Sequence, residues 1–187
     1  EVVPAKDLGH VTIVYHIAEG PQYRVADKQV DGAKSFPADQ LGTLTELKPG
    51  ERYDARVVRA DANRIRDYYG ARGYQTPVEP KLYEVPGQPN LVKVHYDVAG
   101  DAGVPARVGR ITVDGNTVTR DRVVLNQLPF RPGQILPFDR IPEAEMRLNR
   151  LGIFDPEDPP VVEVQPNEFD SAFRDIRVRV KETRTGQ

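Results

Sequence analysis

Two short landmarks recur in the chain at a single spacing. Val30-Asp31-Gly32 is matched by Val113-Asp114-Gly115, and Leu47-Lys48-Pro49-Gly50 by Phe130-Arg131-Pro132-Gly133. The offset is the same for both: 114 − 31 = 83 and 132 − 49 = 83. Tyr53-Asp54 and Phe138-Asp139 follow, with two extra residues in the second copy. Two independent landmarks at one offset mean a duplicated module. The period is too long for one turn of a solenoid and right for a small domain.

The second copy reads most clearly. Ile111-Thr112-Val113 alternates like a half-buried strand, and Asp114-Gly115-Asn116 stops it. Thr119 is placed to cap a helix over residues 119–128, with Asp121 in its positive first turn and Val118 and Val123 at hydrophobic-staple positions. Pro129 ends that helix. Phe138-Asp139 starts another, with Pro142 in its first turn and Ile141, Ala144, Leu148 and Leu151 as its apolar stripe. Gly152 closes it, and strands follow at residues 161–165 and 173–181.

The first copy repeats this order: a strand at 23–30, a short helix at 36–44, and a longer helix capped by Asp54. Tyr53 and Val58 stand at its staple positions, and Val58, Ala62, Ile65 and Tyr69 form its stripe. Gly70 and Gly73 end it. Strands follow at 74–85 and 91–98. Each unit is therefore β-α-α-β-β, and the chain is α+β, with a three-stranded mixed sheet covered by two helices in each module. Residues 1–9 read as an irregular lead and 11–18 (VTIVYHIA) as a strand. The echo of HIAEG at 16–20 in DVAG at 97–100 makes residues 1–20 the closing strand of a truncated preceding module. The modules proper then span 21–101 and 104–187, joined by a hinge at Gly100 and Gly103.

Proline argues the sheet order. It cannot donate to a ladder, so Pro77 and Pro80 put the penultimate strand of the first module at an edge, and the proline-free closing strands take the centre. A bare edge offers N–H and C=O groups to another extended chain. The expected peptide-binding residues are Gln75, Val78, Lys81 and Tyr83 in the first module, and Val161, Val162, Glu163 and Val164 in the second.

Other chemistry is thin. A net charge of −2 gives no bulk case for nucleic acid or anionic lipid. The chain has no cysteine, which excludes disulfides and thiolate metal sites. His10, His16 and His95 are too far apart to suggest zinc, and read as ordinary strand residues. Glu157/Asp158 and Glu168/Asp170 read as solvated loop charges. Arg59, Arg64, Arg66 and Arg72 make one basic helix, and Tyr68, Tyr69 and Tyr74 read as core packing at its end. No phosphate loop, nucleophile elbow or His-Glu-x-x-His occurs, so neither an enzyme nor a cofactor is expected.

The ordered set resembles the POTRA domain: strand, V-D-G-N turn, helix, Leu/Phe-x-Pro-Gly, helix, Gly-aromatic, strand pair. The second copy carries Val113-Asp114-Gly115-Asn116, Phe130-Arg131-Pro132-Gly133 and Leu148-Asn149-Arg150-Leu151-Gly152-Ile153-Phe154. The first carries Val30-Asp31-Gly32-Ala33, with Ala33 in place of the usual Asn, and Tyr68-Tyr69-Gly70-Ala71-Arg72-Gly73-Tyr74. The resemblance covers residues 22–184. It implies the periplasmic part of a BamA-type outer-membrane assembly factor, whose membrane β-barrel is absent from this chain. It also implies a scaffold that binds unfolded outer-membrane proteins and accessory assembly lipoproteins or periplasmic chaperones, with strand addition as one mode. Two alternatives stay open. One is the POTRA region of a two-partner secretion transporter, which more than two modules would disfavour. The other is a division-type membrane scaffold, which carries a single such module.

Overall fold

The computed structural model describes residues 2–4, 11–13, 15–16, 21–100 and 103–183. In chain order the elements are β1 (Val2–Pro4), β2 (Val11–Ile13), β3 (Arg24–Asp31), α1 (Ala38–Gly42), α2 (Ala55–Gly70), β4 (Val78–Val85), β5 (Gln88–Val98), β6 (Arg107–Asp114), α3 (Asp121–Leu125), α4 (Ile141–Asn149), β7 (Val161–Pro166) and β8 (Phe173–Arg179). A 3₁₀ turn, Phe138–Arg140, leads into α4. The two main sheets have the orders β3-β5-β4 and β6-β8-β7. In each, the closing strand lies in the centre, parallel to the first strand and antiparallel to the penultimate one. This is the mixed α+β architecture expected, with the penultimate strands at an edge.

Each sheet has its own core. The stripe Val58, Ala62, Ile65 and Tyr69 of α2 is buried against Val25, Val94, Tyr96 and Val98. Ala144 and Leu148 of α4 are buried against Val108, Val162, Ile176 and Val178, with Ile141 and Leu151 packed beside them. Strand alternation explains the choice: Val92, Val94, Tyr96 and Val98 face the helices, while Lys93, His95 and Asp97 face outward. Tyr68, Tyr69 and Tyr74 do pack at the end of α2, each edge-on to Phe36 with ring centroids 5.2, 5.0 and 5.6 Å away.

The repeated V-D-G turn has a specific steric cause. Gly32 and Gly115 have φ of +75° and +91°. A Cβ there would come within 2.5 Å of the Val98 carbonyl oxygen and 1.9 Å of the Val180 one. Only glycine lets the turn lie against the end of the central strand.

Several expectations change. Residues 2–4 are not irregular: β1 pairs antiparallel with β2, Val2 opposite Ile13. Of the strand expected at 11–18, residues 14, 17 and 18 lie outside the described residues, as does His10. His16 is not in a strand. Thr119 is not a helix cap: α3 starts at Asp121, with Arg120 at the cap position and no side-chain bond there. No staple forms either, because Val118 is 88 % exposed. The reason is Glu182. Its carboxylate accepts the amides of Thr117 (3.0 Å), Val118 (2.9 Å) and Thr119 (2.6 Å) and the Thr117 hydroxyl (2.6 Å). Those amides are thereby held in a loop, not in a helix. Asp54 does cap α2, accepting from the Arg56 amide at 2.8 Å.

Asp61 is the buried polar centre of the first module. It accepts the amides of Glu46 (2.8 Å) and Leu47 (3.0 Å), the Tyr96 hydroxyl (3.0 Å) and Arg64 Nη1 (2.5 Å). Burial first, and the Asp61 charge next, push the Tyr96 phenol far above its ordinary value. Asp61→Ala leaves these donors unpaired and is expected to cost about 3 kcal/mol in urea unfolding.

Glu182 gives a pH test. The Thr117 hydroxyl, then the Thr119 amide, hold its pKa far below the ordinary 4.5. A carboxylate depressed in the folded state stabilises above its unfolded pKa and loses that effect as pH falls. The stability difference between the protein and Glu182→Gln should therefore be constant well above pH 4.5 and shrink progressively below it.

Candidate functional site

Each three-stranded sheet has two flanks, and the Pro-Gly turn closes one of them. The Gly50 amide donates to the Val25 carbonyl (2.7 Å), Val25 N–H to Glu51 O (2.9 Å), and Tyr53 N–H to Tyr23 O (2.9 Å). In the second module Gly133 donates to Val108 O (2.7 Å), Val108 to Gln134 O (2.8 Å), and Leu136 to Ala106 O (2.9 Å). Arg24 and Arg107 add side-chain bonds to the carbonyls of Gly50 (3.1 Å) and Gly133 (2.9 Å). Every main-chain bond of this clamp recurs 83 positions later, although only Arg24, Val25 and Gly50 keep their residue type. It pairs the start of β3 and of β6 on the side away from the sheet, whereas β4 and β7 lie at the opposite edge with no such turn against them.

Along β4, the Ala99 amide donates to Pro77 O at 3.1 Å, which turns residue 77 toward β5. In an antiparallel ladder direction alternates. Glu79, Lys81 and Tyr83 therefore turn their main chain to β5, while Val78, Pro80 and Leu82 turn theirs to the open flank. Pro80 has no N–H, so it removes a donor from the flank and not from the ladder. Among the four residues expected on this edge, Val78 alone offers main chain to a partner. Gln75 lies before β4, in the segment that leads into it. Lys81 and Tyr83 use their side chains on the outer face: Lys81 Nζ is 2.5 Å from Asp97, and the Tyr83 ring is 4.7 Å from that of His95. His95 Nδ1 lies 2.6 Å from Asp31 Oδ2. The Gln29 amide, first, and His95 hold the Asp31 pKa below its ordinary value.

On β7, Val161 and Glu163 pair with Arg179 and Arg177 of β8, and Val162 and Val164 with Val178 and Ile176. The Val162 amide donates to Glu145 Oε1 at 2.9 Å, so it faces away from β8. By alternation Val164 faces the same way and Val161 and Glu163 do not. Glu145, on α4, thus occupies the outward donor of Val162. Sequence reasoning missed it, because nothing in the spacing shows that its carboxylate reaches the strand.

The modules meet where α2 ends. Gly73 O accepts the Ala106 amide at 2.8 Å. A Cβ on Gly73 would come within 2.8 Å of Ile135, and one on Gly70 within 2.9 Å of the Asp139 amide. Beside this contact runs a groove of about 560 Å³, lined by residues of both modules. Asp139 stands at its rim; desolvation there, and next the Asp67 charge, raise its pKa. A Cβ on Gly100 or Gly103 would meet nothing within 4 Å, and Asp101 and Ala102 between them lie outside the described residues. Among the described residues no cluster of His, Cys, Asp or Glu could hold a metal ion, and no helix is long and apolar enough to cross a membrane.

Comparison with known proteins agrees with this architecture. The family model "POTRA: Surface antigen variable number repeat" matches residues 23–99 and again 106–183. The outer membrane protein assembly factor BamA of Nitratidesulfovibrio vulgaris is 25 % identical over 180 residues, 94 % of this chain and 22 % of that protein. BamA of Neisseria meningitidis is 27 % identical over 147 residues, 77 % of this chain and 18 % of that protein. The chain thus spans about a fifth of the length of these relatives. The crystal structure of Haemophilus influenzae BamA POTRA3-5 superimposes with a TM-score of 0.73 at 22 % identity, covering 88 % of this chain and 63 % of that one. BamA from Haemophilus ducreyi lacking POTRA domains 1-3 gives 0.71 at 24 % identity, covering 88 % and 30 %.

Glu145→Ala should free the Val162 amide without unfolding the module. Its hydrogen exchange is expected to speed up by about tenfold or more, the loss of one charge-assisted bond. Amides of β8 should be unchanged.

Proposed function

Because the chain belongs to the POTRA family in both halves, we propose that it is a non-enzymatic scaffold in outer-membrane protein assembly, working in the periplasm. It holds extended, unfolded outer-membrane proteins by adding them as strands to its open flanks. The similarity to BamA proteins supports this reading. So does the asymmetry of each sheet: the Pro-Gly clamp occupies the start of one flank, while β4 along residues 78–85 has no turn against it. Main-chain pairing is sequence-tolerant, which suits a receiver of many clients. Accessory assembly lipoproteins or periplasmic chaperones dock elsewhere on the same modules.

The domain limits proposed are 21–101 and 104–187, with residues 1–20 belonging to a preceding module. The antiparallel β1–β2 pair supports that last assignment, since each complete module also ends in an antiparallel pair. Gly100 and Gly103 are the proposed pivot between modules, acting only when the Gly73–Ala106 contact opens.

Titrating unfolded outer-membrane-protein peptides while following backbone amide shifts by NMR tests the mechanism. Shifts should cluster on residues 78–85 or 161–166. Leu82→Pro removes an outward donor while leaving the β4–β5 ladder intact, so it should abolish the β4 shifts and keep the fold. No shifts at millimolar peptide would remove strand addition as the mechanism.

A further inference from the structure

The groove between the modules opens beside the free flank of β7, and the pleat of that strand says what can enter it. Val162 is buried on the helix side of its sheet, and Val164, two residues on, lies on the same side. The groove is on that side too: Val164, Phe138 and Ile141 line it from the second module, and Tyr74 and Pro77 from the first. A strand added to β7 must send every second side chain to the helix side. The side chain across from Val164 therefore points into the groove. At about 560 Å³ the groove falls within the size range of clefts that hold small-molecule-sized groups.

The rim adds a charge preference. Arg66 pairs with Asp67 at 3.6 Å, and Arg140 with Glu143 at 2.8 Å. Among the described residues Asp139 makes no ion pair. A carboxylate without a salt bridge beside an apolar slot, held by the amides of its own turn and near the Arg140 charge, complements a cation carried close to an apolar side chain. The desolvation felt by Asp139 agrees with this.

We propose that this inter-module groove is the specificity pocket of the β7 flank: it takes an aromatic side chain of an added extended strand, with a Lys or Arg two positions along meeting Asp139. The proposal rests on the strand-addition reading above and makes it selective. Transmembrane β-strands alternate apolar and polar residues and carry aromatic girdles, so they supply aromatic side chains on one face. Glu145 leaves the Val164 end of the flank as the entry point, because it already holds the Val162 amide. The pocket exists only while Gly70 and Gly73 keep the two modules in contact.

The test uses the 187-residue chain and a ten-residue peptide of alternating apolar and polar residues, with one Phe and an Arg two positions after it. Nuclear Overhauser contacts are expected from the Phe ring to the methyls of Ile141 and Val164. Phe→Ala in the peptide should weaken binding by about tenfold or more. Asp139→Lys should reverse the preference, favouring a peptide with Glu in place of Arg. If shifts still appear along β4 or β7 but neither the Phe nor the Arg matters, the pocket is overturned and strand addition stands. If no peptide shifts any edge residue, strand addition itself fails and the pocket with it.

Discussion

The structure depends on how the main-chain bonds of a three-stranded sheet are shared out. The central strand of each sheet is saturated on both sides. Of the two remaining flanks, the chain closes the start of one with its own Pro-Gly turn, through the reciprocal bonds of Gly50 and Glu51 with Val25 and of Gly133 and Gln134 with Val108. Each such bond adds only about 1 kcal/mol net, but leaving it unmade beside a packed core would cost more. The turn also brings Leu47 and Leu136 into the cores, so one segment seals the strand and fills the layer beneath it. The opposite edge, β4 or β7, has no such turn against it.

The outer faces of the sheets are built differently from these strips. Lys81 with Asp97, Arg177 with Asp114 and Arg179 with Glu163 cover them with ion pairs. Pairs this exposed add little stability. They keep the faces hydrated, so the sheets present no apolar outer surface. The two flanks are guarded unequally. Pro80 thins the donors of β4, whereas Glu145 covers one donor of β7. The polar centres also differ. Asp61 ties α2 to the Leu47 turn in the first module, and Glu182 holds the V-D-G-N loop in the second.

Much of this was legible from residue order. Proline at positions 77 and 80 placed the penultimate strand at an edge. Glycine at 32, 50, 115 and 133 marked turns whose geometry no other residue type fits as well. The stripe from Val58 to Tyr69 gave the buried face of α2, because helical spacing brings those residues together without any help from the rest of the fold. Where sequence and structure part, long-range contacts are the reason. Thr119 and Val118 have the right types for a cap and a staple, but Glu182, more than sixty residues later, takes the amides that such a helix would need. Gln75, Lys81 and Tyr83 were grouped with Val78 because residue type does not reveal which way a main chain points.

The amino-acid order by itself determined a duplicated β-α-α-β-β unit, its turns, its helical stripes and the edge position of β4, since each follows from local periodicity and from what glycine and proline allow. Tertiary structure decided which outward amides stay open, that Glu145 covers one of them, and that α2 of one module presses on the 3₁₀ turn before α4 in the next. Those outcomes depend on the direction of single N–H groups and on contacts between residues far apart in sequence. Neither leaves a periodic trace in the chain.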